Sequence, residues 1–237
     1  SGLALLPTGI IGLRALQESG QEDSTYVIFM GDHGPCFQRG KMALYDFGLR
    51  VPLAVRGPGV QRGLRSDALV SSVDLMPTIL HWAGLEPPAQ QDGLPLNAIL
   101  AGAETSLPRT YVFAEIAHGF PRARGMRERS IFDGRYHLIQ RNDPALPRIV
   151  NADLRDWKPW RNRTYAETVA RKDQFPRQYE MLRQIDNTRL GGRPPRVELF
   201  DLAADPEELH NLADDREYQT QKQKLLDGLK EWVAKGN

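Results

Sequence analysis

The stretch TYVIFMGDHGPCFQRGKMALYDFGLRVPLAVR, Thr25 to Arg56, decides how this chain is read. Thr25 to Met30 is an apolar, β-branched and aromatic run, the composition of a buried strand. It stops at Gly31-Asp32-His33-Gly34, a glycine-flanked turn that carries a carboxylate and an imidazole at the strand's C-terminal end. In open α/β sheets that end is where ligands bind. Carboxylate oxygen and imidazole nitrogen are both metal donors, and Asp is the hard donor that Ca²⁺ or Mg²⁺ requires. An Asp between glycines can equally cap its own turn, so the tetrapeptide alone leaves both readings open. Lys41 follows Gly40, and LYDFGLRVPL, Leu44 to Leu53, leads on to the turn signal Gly57-Pro58-Gly59.

Working outward, residues 8–19 predict a helix with Ile10, Ile11, Leu13 and Leu16 apolar and Gly20 at its C-cap. Followed by the strand at 25–30, this is an α→β step toward a parallel sheet. Pro52 to Val55 predicts a second short strand, and Asp74 is placed to cap a helix running to about Ala83, with Pro77 in its first turn and Gly84 past its end. Residues 86–108 hold four prolines and mark the domain boundary. Beyond it strands are expected at 111–115, 128–132 and 136–140, the last two joined through Asp133-Gly134, with a fourth at 197–202. Residues 141–195 are broken by prolines and predict a long excursion with one helix near 163–184. A closing helix over 216–234 aligns Leu225, Leu229, Trp232 and Val233 as a packing stripe. The fold class that follows is α/β: a parallel-sheet domain over 1–107, then a smaller α+β subdomain over 108–237 with an antiparallel sheet and a C-terminal helix.

Of the 237 residues, 41% are hydrophobic and 26% charged, which places the chain among ordinary globular proteins. A net charge of +1 excludes a global polyelectrolyte role. Locally, residues 122–196 carry sixteen Arg and two Lys against nine acidic residues. Such a segment suits an anionic substrate, since guanidinium forks match oxyanions, or a surface whose arginines pair with nearby carboxylates. It has no nucleic-acid-binding motif and no regular interleaving of aromatics, so no nucleic-acid partner is expected. The single cysteine, Cys36, leaves no internal disulfide. Leu3 to Leu16 lacks a basic leader and a small-residue cleavage site and is interrupted by Pro7, Gly9 and Gly12, so neither a signal peptide nor a membrane span is expected there.

The order strand, GDHG, Gly-Lys, LYDFGLRVPL and Gly57-Pro58-Gly59-Val60 resembles the sulfatase family of the alkaline phosphatase superfamily. Two further segments resemble the same family: Leu69 to Leu80 (LVSSVDLMPTIL) followed by Ala83-Gly84-Leu85, and Glu198 to Glu208 (ELFDLAADPEE) followed by Asn211-Leu212. The middle, Val112-Phe113 through His118 to Met126-Arg127 and Tyr136-His137-Leu138, is similar to heparan N-sulfatase (N-sulfoglucosamine sulfohydrolase). The resemblance implies that Asp32 and His33 ligate a divalent cation, usually Ca²⁺ with Mg²⁺ the alternative. Lys41 would contact the sulfate, and Lys41 and His33 would be the catalytic residues within this chain. His118 and Arg127, with Arg122 and Arg124 beside them, would meet further substrate anions.

The family's nucleophile is a formylglycine made in a C/S-x-P/A-x-R motif near the N-terminus. Cys36-Phe37-Gln38-Arg39-Gly40 does not match that motif, and no adjacent acidic pair at a strand end precedes residue 25. The chain therefore reads as the C-terminal part of a sulfatase catalytic domain, 1–107, plus its C-terminal subdomain, with no turnover of its own. Its expected substrate is a sulfated small molecule or glycan, and its expected protein partner is a missing N-terminal half or a second copy. Two alternatives stand beside this: a phosphonate or phosphate ester hydrolase of the same superfamily, and an inactive fragment that binds anionic glycans.

Overall fold

In a computed structural model, residues 7–117, 127–145, 163–185, 190–192 and 194–236 are described. The chain divides into two units, one of Ser1–Gly31 with Pro52–Arg109 and one of Asp32–Val51 with Thr110–Asn237. The chain crosses between the units three times, after Gly31, Val51 and Arg109, so residues 32–51 leave their sequence neighbours and group with the C-terminal unit.

In the first unit, helix α1 (Pro7–Glu18) passes through a 3₁₀ turn at Glu22–Ser24 into β1 (Val27–Met30). Strand β1 pairs with β2 (Leu53–Arg56), from Val27 opposite Arg56 to Met30 opposite Leu53. The pairing is antiparallel, where the α→β step predicted a parallel neighbour. The chain turns back after β1, and the Gly31 N–H donates to the Pro52 carbonyl at 3.0 Å, which closes the pair. Tyr26 stacks on Trp82 with ring centroids 4.0 Å apart, tying the strand to α3 (Leu75–Trp82). A small core of Leu96, Ile99 and Leu107 surrounds α4 (Asn97–Leu100).

Asp74 does not cap α3 as its position suggests. Its fully buried carboxylate turns back to accept the N–H of Ser71 at 2.7 Å and of Leu94 at 2.8 Å, with Arg109 Nη2 at 2.5 Å. The Thr78 hydroxyl donates to the Asp74 carbonyl at 2.6 Å and accepts the Leu96 N–H at 2.8 Å. A buried carboxylate is tolerated only with partners of this kind. They also fasten the end of the proline-rich loop, so the loop is held to α3 by Asp74 and Thr78 together.

The second unit is a four-stranded antiparallel sheet in chain order, β3 (Val112–Ala117), β4 (Arg127–Phe132), β5 (Tyr136–Arg141) and β6 (Val197–Asp201). The β4–β5 hairpin forms at the predicted Asp133-Gly134. Gly134 takes φ +99°, and Asp133 Oδ1 accepts the N–H groups of Arg135 and Tyr136 at 3.0 and 2.7 Å. One face of the sheet receives α7 (Gln219–Ala234), whose Leu225 and Leu229 are buried with Ile131, Leu138 and Leu199. Each such side chain contributes about 1.5–3 kcal/mol when fully buried. Trp232 stacks on Phe113 at 4.9 Å, and Gly228 leaves just enough room for Ile131 and Tyr111.

The opposite face carries Ile139 and Phe200, packed with Leu44 and Tyr45 from the 32–51 segment and with Tyr165 and Leu182. The last two lie on α5 (Arg163–Ala170) and α6 (Pro176–Ile185). These two helices replace the single one predicted near 163–184. Pro176 has no N–H with which to continue a preceding helix, and it opens a new one at a position where proline is accepted.

Two predictions follow from this packing. Asp74→Ala strands Arg109 and two backbone donors, so it is expected to cost about 3–5 kcal/mol; hydrogen exchange at the Leu94 and Leu96 amides should accelerate accordingly. The second concerns Asp201, which Arg135 grips through Nε at 3.0 Å and Nη2 at 2.6 Å. That hydrogen bond holds the Asp201 carboxyl below its ordinary range against the opposing effect of burial, with the Ala203 N–H assisting. A depressed carboxylate stabilises the fold above its unfolded value, about 3.9, and loses that contribution as pH falls toward the folded value. Urea midpoints for the native chain should therefore drop between pH 5 and pH 3 more steeply than those for Asp201→Asn, a difference sought in unfolding curves at both ends of this window.

Candidate functional site

Asp32, His33 and Lys41 come together. The His33 ring places Nδ1 2.7 Å from the Gly34 carbonyl oxygen and Nε2 2.9 Å from Lys41 Nζ. Asp32 Oδ2 lies 3.1 Å from the same Nε2. A carbonyl only accepts, so Nδ1 carries the hydrogen it receives, and in the neutral ring Nε2 is left as an acceptor for Lys41. Nε2 and the Asp32 carboxylate would then face each other as two lone pairs. The Lys41 ammonium beside them supplies the positive charge that makes this arrangement stable. The Asp32 side chain is 86% exposed and that of His33 34% exposed, so the carboxylate projects into solvent from a partly covered base.

The segment that carries these residues folds by crossing itself at glycines. The Gly34 N–H donates to Gly48 O at 3.1 Å, and both Phe37 and Lys41 donate to Pro35 O, at 2.8 and 2.9 Å. A Cβ on Gly34 would overlap the Phe47 carbonyl, and one on Gly40 the Pro35 carbonyl, so these two positions admit no side chain without backbone movement. Arg39 at φ +61° and Met42 at φ +69° bracket Gly40-Lys41 in the left-handed region. For non-glycine residues that conformation costs about 1 kcal/mol or more each and persists only where the surroundings enforce it.

The surroundings are a polar network on the sheet face beneath. Tyr45, next to the start of α2 (Asp46–Leu49), donates its hydroxyl to Glu198 at 3.0 and 3.1 Å. The Arg39 guanidinium lies 3.8 Å above the Tyr45 ring and donates to the carbonyls of Glu207 at 3.2 Å and Glu208 at 2.5 Å. Glu208 Oε2 accepts the Asp46 N–H at 2.7 Å, and Oε1 receives His137 Nδ1 at 2.5 Å.

Arg141, 2% exposed, sits between two carboxylates. Its Nε donates to Glu128 Oε1 at 3.0 Å and its Nη1 to the Pro195 carbonyl at 2.8 Å. Its Nη2 forms an ion pair with Glu198 Oε2 at 2.6 Å. Burial alone would lower the Arg141 pKa, but Glu198, Tyr45 and Glu128 more than offset it and drive it upward.

Sequence reasoning passed over Arg39, His137, Arg141 and Glu198 as site components. The available signal was alternation: His137, Ile139 and Arg141 share one face of β5, and a strand with both faces covered buries its charged positions too.

Of the remaining candidates, Arg127 has its contacts elsewhere. Arg127 lies 3.8 Å from Glu115, and its N–H donates to Asn142 Oδ1 at 2.8 Å. His118, Arg122 and Arg124 lie outside the described residues. Arg129 and Arg135 are paired with Glu115 and Asp201, so described arginines of the basic segment include several committed to local carboxylates. Among the described residues no group of three or more His, Cys, Asp and Glu is arranged to hold a metal ion. Asp32 is by its chemistry and exposure the kind of oxygen donor that a hard cation takes, while His33 Nε2 is engaged by Lys41. No helix among the described residues is long and apolar enough to cross a membrane.

The chain is similar to known proteins along most of its length. The Sulfatase family model matches residues 13–85. An ulvan-active sulfatase of Formosa agariphila is 31% identical over 223 residues, covering 94% of this chain and 35% of that protein. Human N-acetylglucosamine-6-sulfatase is 27% identical over 215 residues, covering 85% of this chain and 34% of that protein. The solved structure of a 2-O GAG sulfatase superposes with a TM-score of 0.67 at 21% identity, over 94% of this chain and 39% of that one, which is a likeness of fold. The chain thus spans about a third of the length of the curated relatives it matches. With a family-model match at its N-terminal side and a relative aligned along most of its length, the chain belongs to the sulfatase family.

Proposed function

We propose that this chain supplies the Asp32–His33–Lys41 corner of the active site of a sulfuric ester hydrolase acting on a sulfated sugar. The observation that carries the reading is the Lys41 ammonium, 2.9 Å from His33 Nε2 and beside an exposed carboxylate, on a loop too crowded to shift. An ammonium has three donors. One is spent on His33, which leaves donors and a full positive charge for an oxyanion. His33, its ring fixed by the Gly34 carbonyl, aims that ammonium rather than acting as a free base. Asp32 offers hard oxygen to a divalent cation, Ca²⁺ or Mg²⁺, and His33 would join it as second donor only by giving up the Nε2 contact with Lys41. When bound, such a cation supplies further positive charge for the sulfate oxygens.

The work of this chain's own residues is then to bind the sulfate group and neutralise charge that grows on its oxygens, an electrostatic contribution from preplaced groups. His118 and Arg127 are assigned within this proposal to the rest of the anionic substrate. The family's nucleophile is formylglycine, and no C/S-x-P/A-x-R motif occurs in these 237 residues, so no bond-breaking step is derived from their side chains. That the ester is carried by a sugar rests on the relatives being an ulvan-active sulfatase and an N-acetylglucosamine-6-sulfatase.

The test is a titration of the chain with 4-nitrophenyl sulfate and with Ca²⁺, followed by NMR. Lys41→Ala should weaken sulfate ester binding about tenfold or more, the size of one lost charge-assisted contact, with Lys41→Arg retaining part of it. Asp32→Ala should weaken Ca²⁺ binding. In an enzyme that contains this chain, Lys41→Ala should lower kcat/KM on a sulfate ester by about a hundredfold to a thousandfold. Sulfate affinity indifferent to Lys41 would overturn the assignment, and consistently tighter binding of a phosphonate monoester would move the reading to phosphoryl chemistry.

A further inference from the structure

Between Asp32 and Tyr45 the chain is neither helix nor strand, yet Asp32, His33 and Lys41 meet within 3.1 Å. Local turns account for the crossing of the loop but not for the placement of Lys41, which lies between two left-handed residues that need an external hold. The polar holds reach the 39–46 segment at its two ends. Arg39, two residues before Lys41, is bonded to the carbonyls of Glu207 and Glu208. Asp46, five residues after it, gives its N–H to the Glu208 carboxylate. Glu208 takes part at both ends, through its carbonyl beside that of Glu207 at Arg39 and through its carboxylate at Asp46.

Glu208 is itself over-determined. It is 3% exposed, it holds φ +55° without being glycine, and its second carboxylate oxygen is taken by buried His137 on the sheet. A glutamate whose only task was to cap α2 would need neither the buried histidine nor the left-handed backbone. We infer that Glu208 is a positioning residue for Lys41 and His33, fixing the 39–46 segment to the sheet from both ends so that the ammonium meets the imidazole. Its importance for chemistry rests on the proposed function, but the geometry it controls does not.

The experiment compares Glu208→Ala, Glu208→Gln and Asp46→Pro in this chain, with Asp133→Ala as a control in the same unit. Asp133 contacts Gln221 at 2.8 Å and the hairpin turn. Two readouts are taken: amide exchange over 34–48 relative to 137–141, and the ring ¹³Cε1–¹H resonance of His33. In Glu208→Ala, exchange in the loop should accelerate about tenfold relative to β5, and the His33 resonance should move. Glu208→Gln keeps an acceptor for the Asp46 N–H and should restore much of the protection. Asp46→Pro removes only that donor and the exposed pair with Arg50, at a helix position that accepts proline, so it decides the matter if Glu208→Ala does not fold. Asp133→Ala should leave the His33 resonance in place. Loop and sheet exchange rising together in Glu208→Ala, or a His33 resonance unmoved in both Glu208→Ala and Asp46→Pro, would overturn the inference. Sulfate is absent from the measurement, so a loop that loosens in a chain that binds no sulfate would sink the proposed function and leave the positioning role intact.

Discussion

The second unit depends on a guanidinium buried between carboxylates. Arg141 on β5 reaches Glu128 on β4 and Glu198 on β6, and it remains charged because two acids surround it. An arrangement of this kind is weak evidence of stability, since desolvating three charges consumes most of what their attraction returns. What it constrains is register. Glu128 stands opposite Arg141, and Glu198 opposite Ile139, so both acids meet the guanidinium only when three strands are aligned as observed. A slip of one residue would turn every one of these side chains to the face covered by α7, among leucines.

The two faces of the sheet therefore obey different rules. The face against α7 is filled by Ile131, Leu138, Leu199, Leu225 and Leu229 and is held chiefly by apolar area. The face beneath the loop combines Ile139 and Phe200 with His137, Arg141, Glu128 and Glu198, of which Glu198 accepts from the Tyr45 hydroxyl and His137 holds Glu208. Apolar packing is tolerant of small displacements, whereas a hydrogen bond at 2.7 Å to a named N–H is not. A site that must hold one ammonium against one imidazole is better served by the second kind of support.

This arrangement gives a physical reason for the closing segment resembled in the family. Asp205-Pro206-Glu207-Glu208 lies 160 residues and more beyond the loop in sequence, yet the Arg39 and Asp46 contacts end on it. Asp205 in turn caps the His210 N–H at 2.7 Å, and Asn211 Oδ1 accepts from Leu199 and Ala213. The segment is a run of turns whose side chains bind backbone, and its place against the sheet is what offers Glu208 to the loop.

By itself the sequence determined what depends on neighbours a few residues apart. The hairpin at Asp133-Gly134, the stripe of Leu225, Leu229 and Trp232, the strand before the GDHG turn and the adjacency of Asp32 to His33 were all legible, because turn chemistry and apolar periodicity are local properties. Lys41 could be singled out only through resemblance to a family, since nothing in its spacing from His33 fixes a contact. Tertiary structure alone decided that β1 pairs antiparallel with β2 and that residues 32–51 join the C-terminal unit. It also turned the Asp74 carboxylate away from its own helix, and brought Glu208 to Arg39 across 169 positions. These outcomes are set by which distant donors and acceptors must be satisfied when they are buried together, and that accounting closes only in three dimensions.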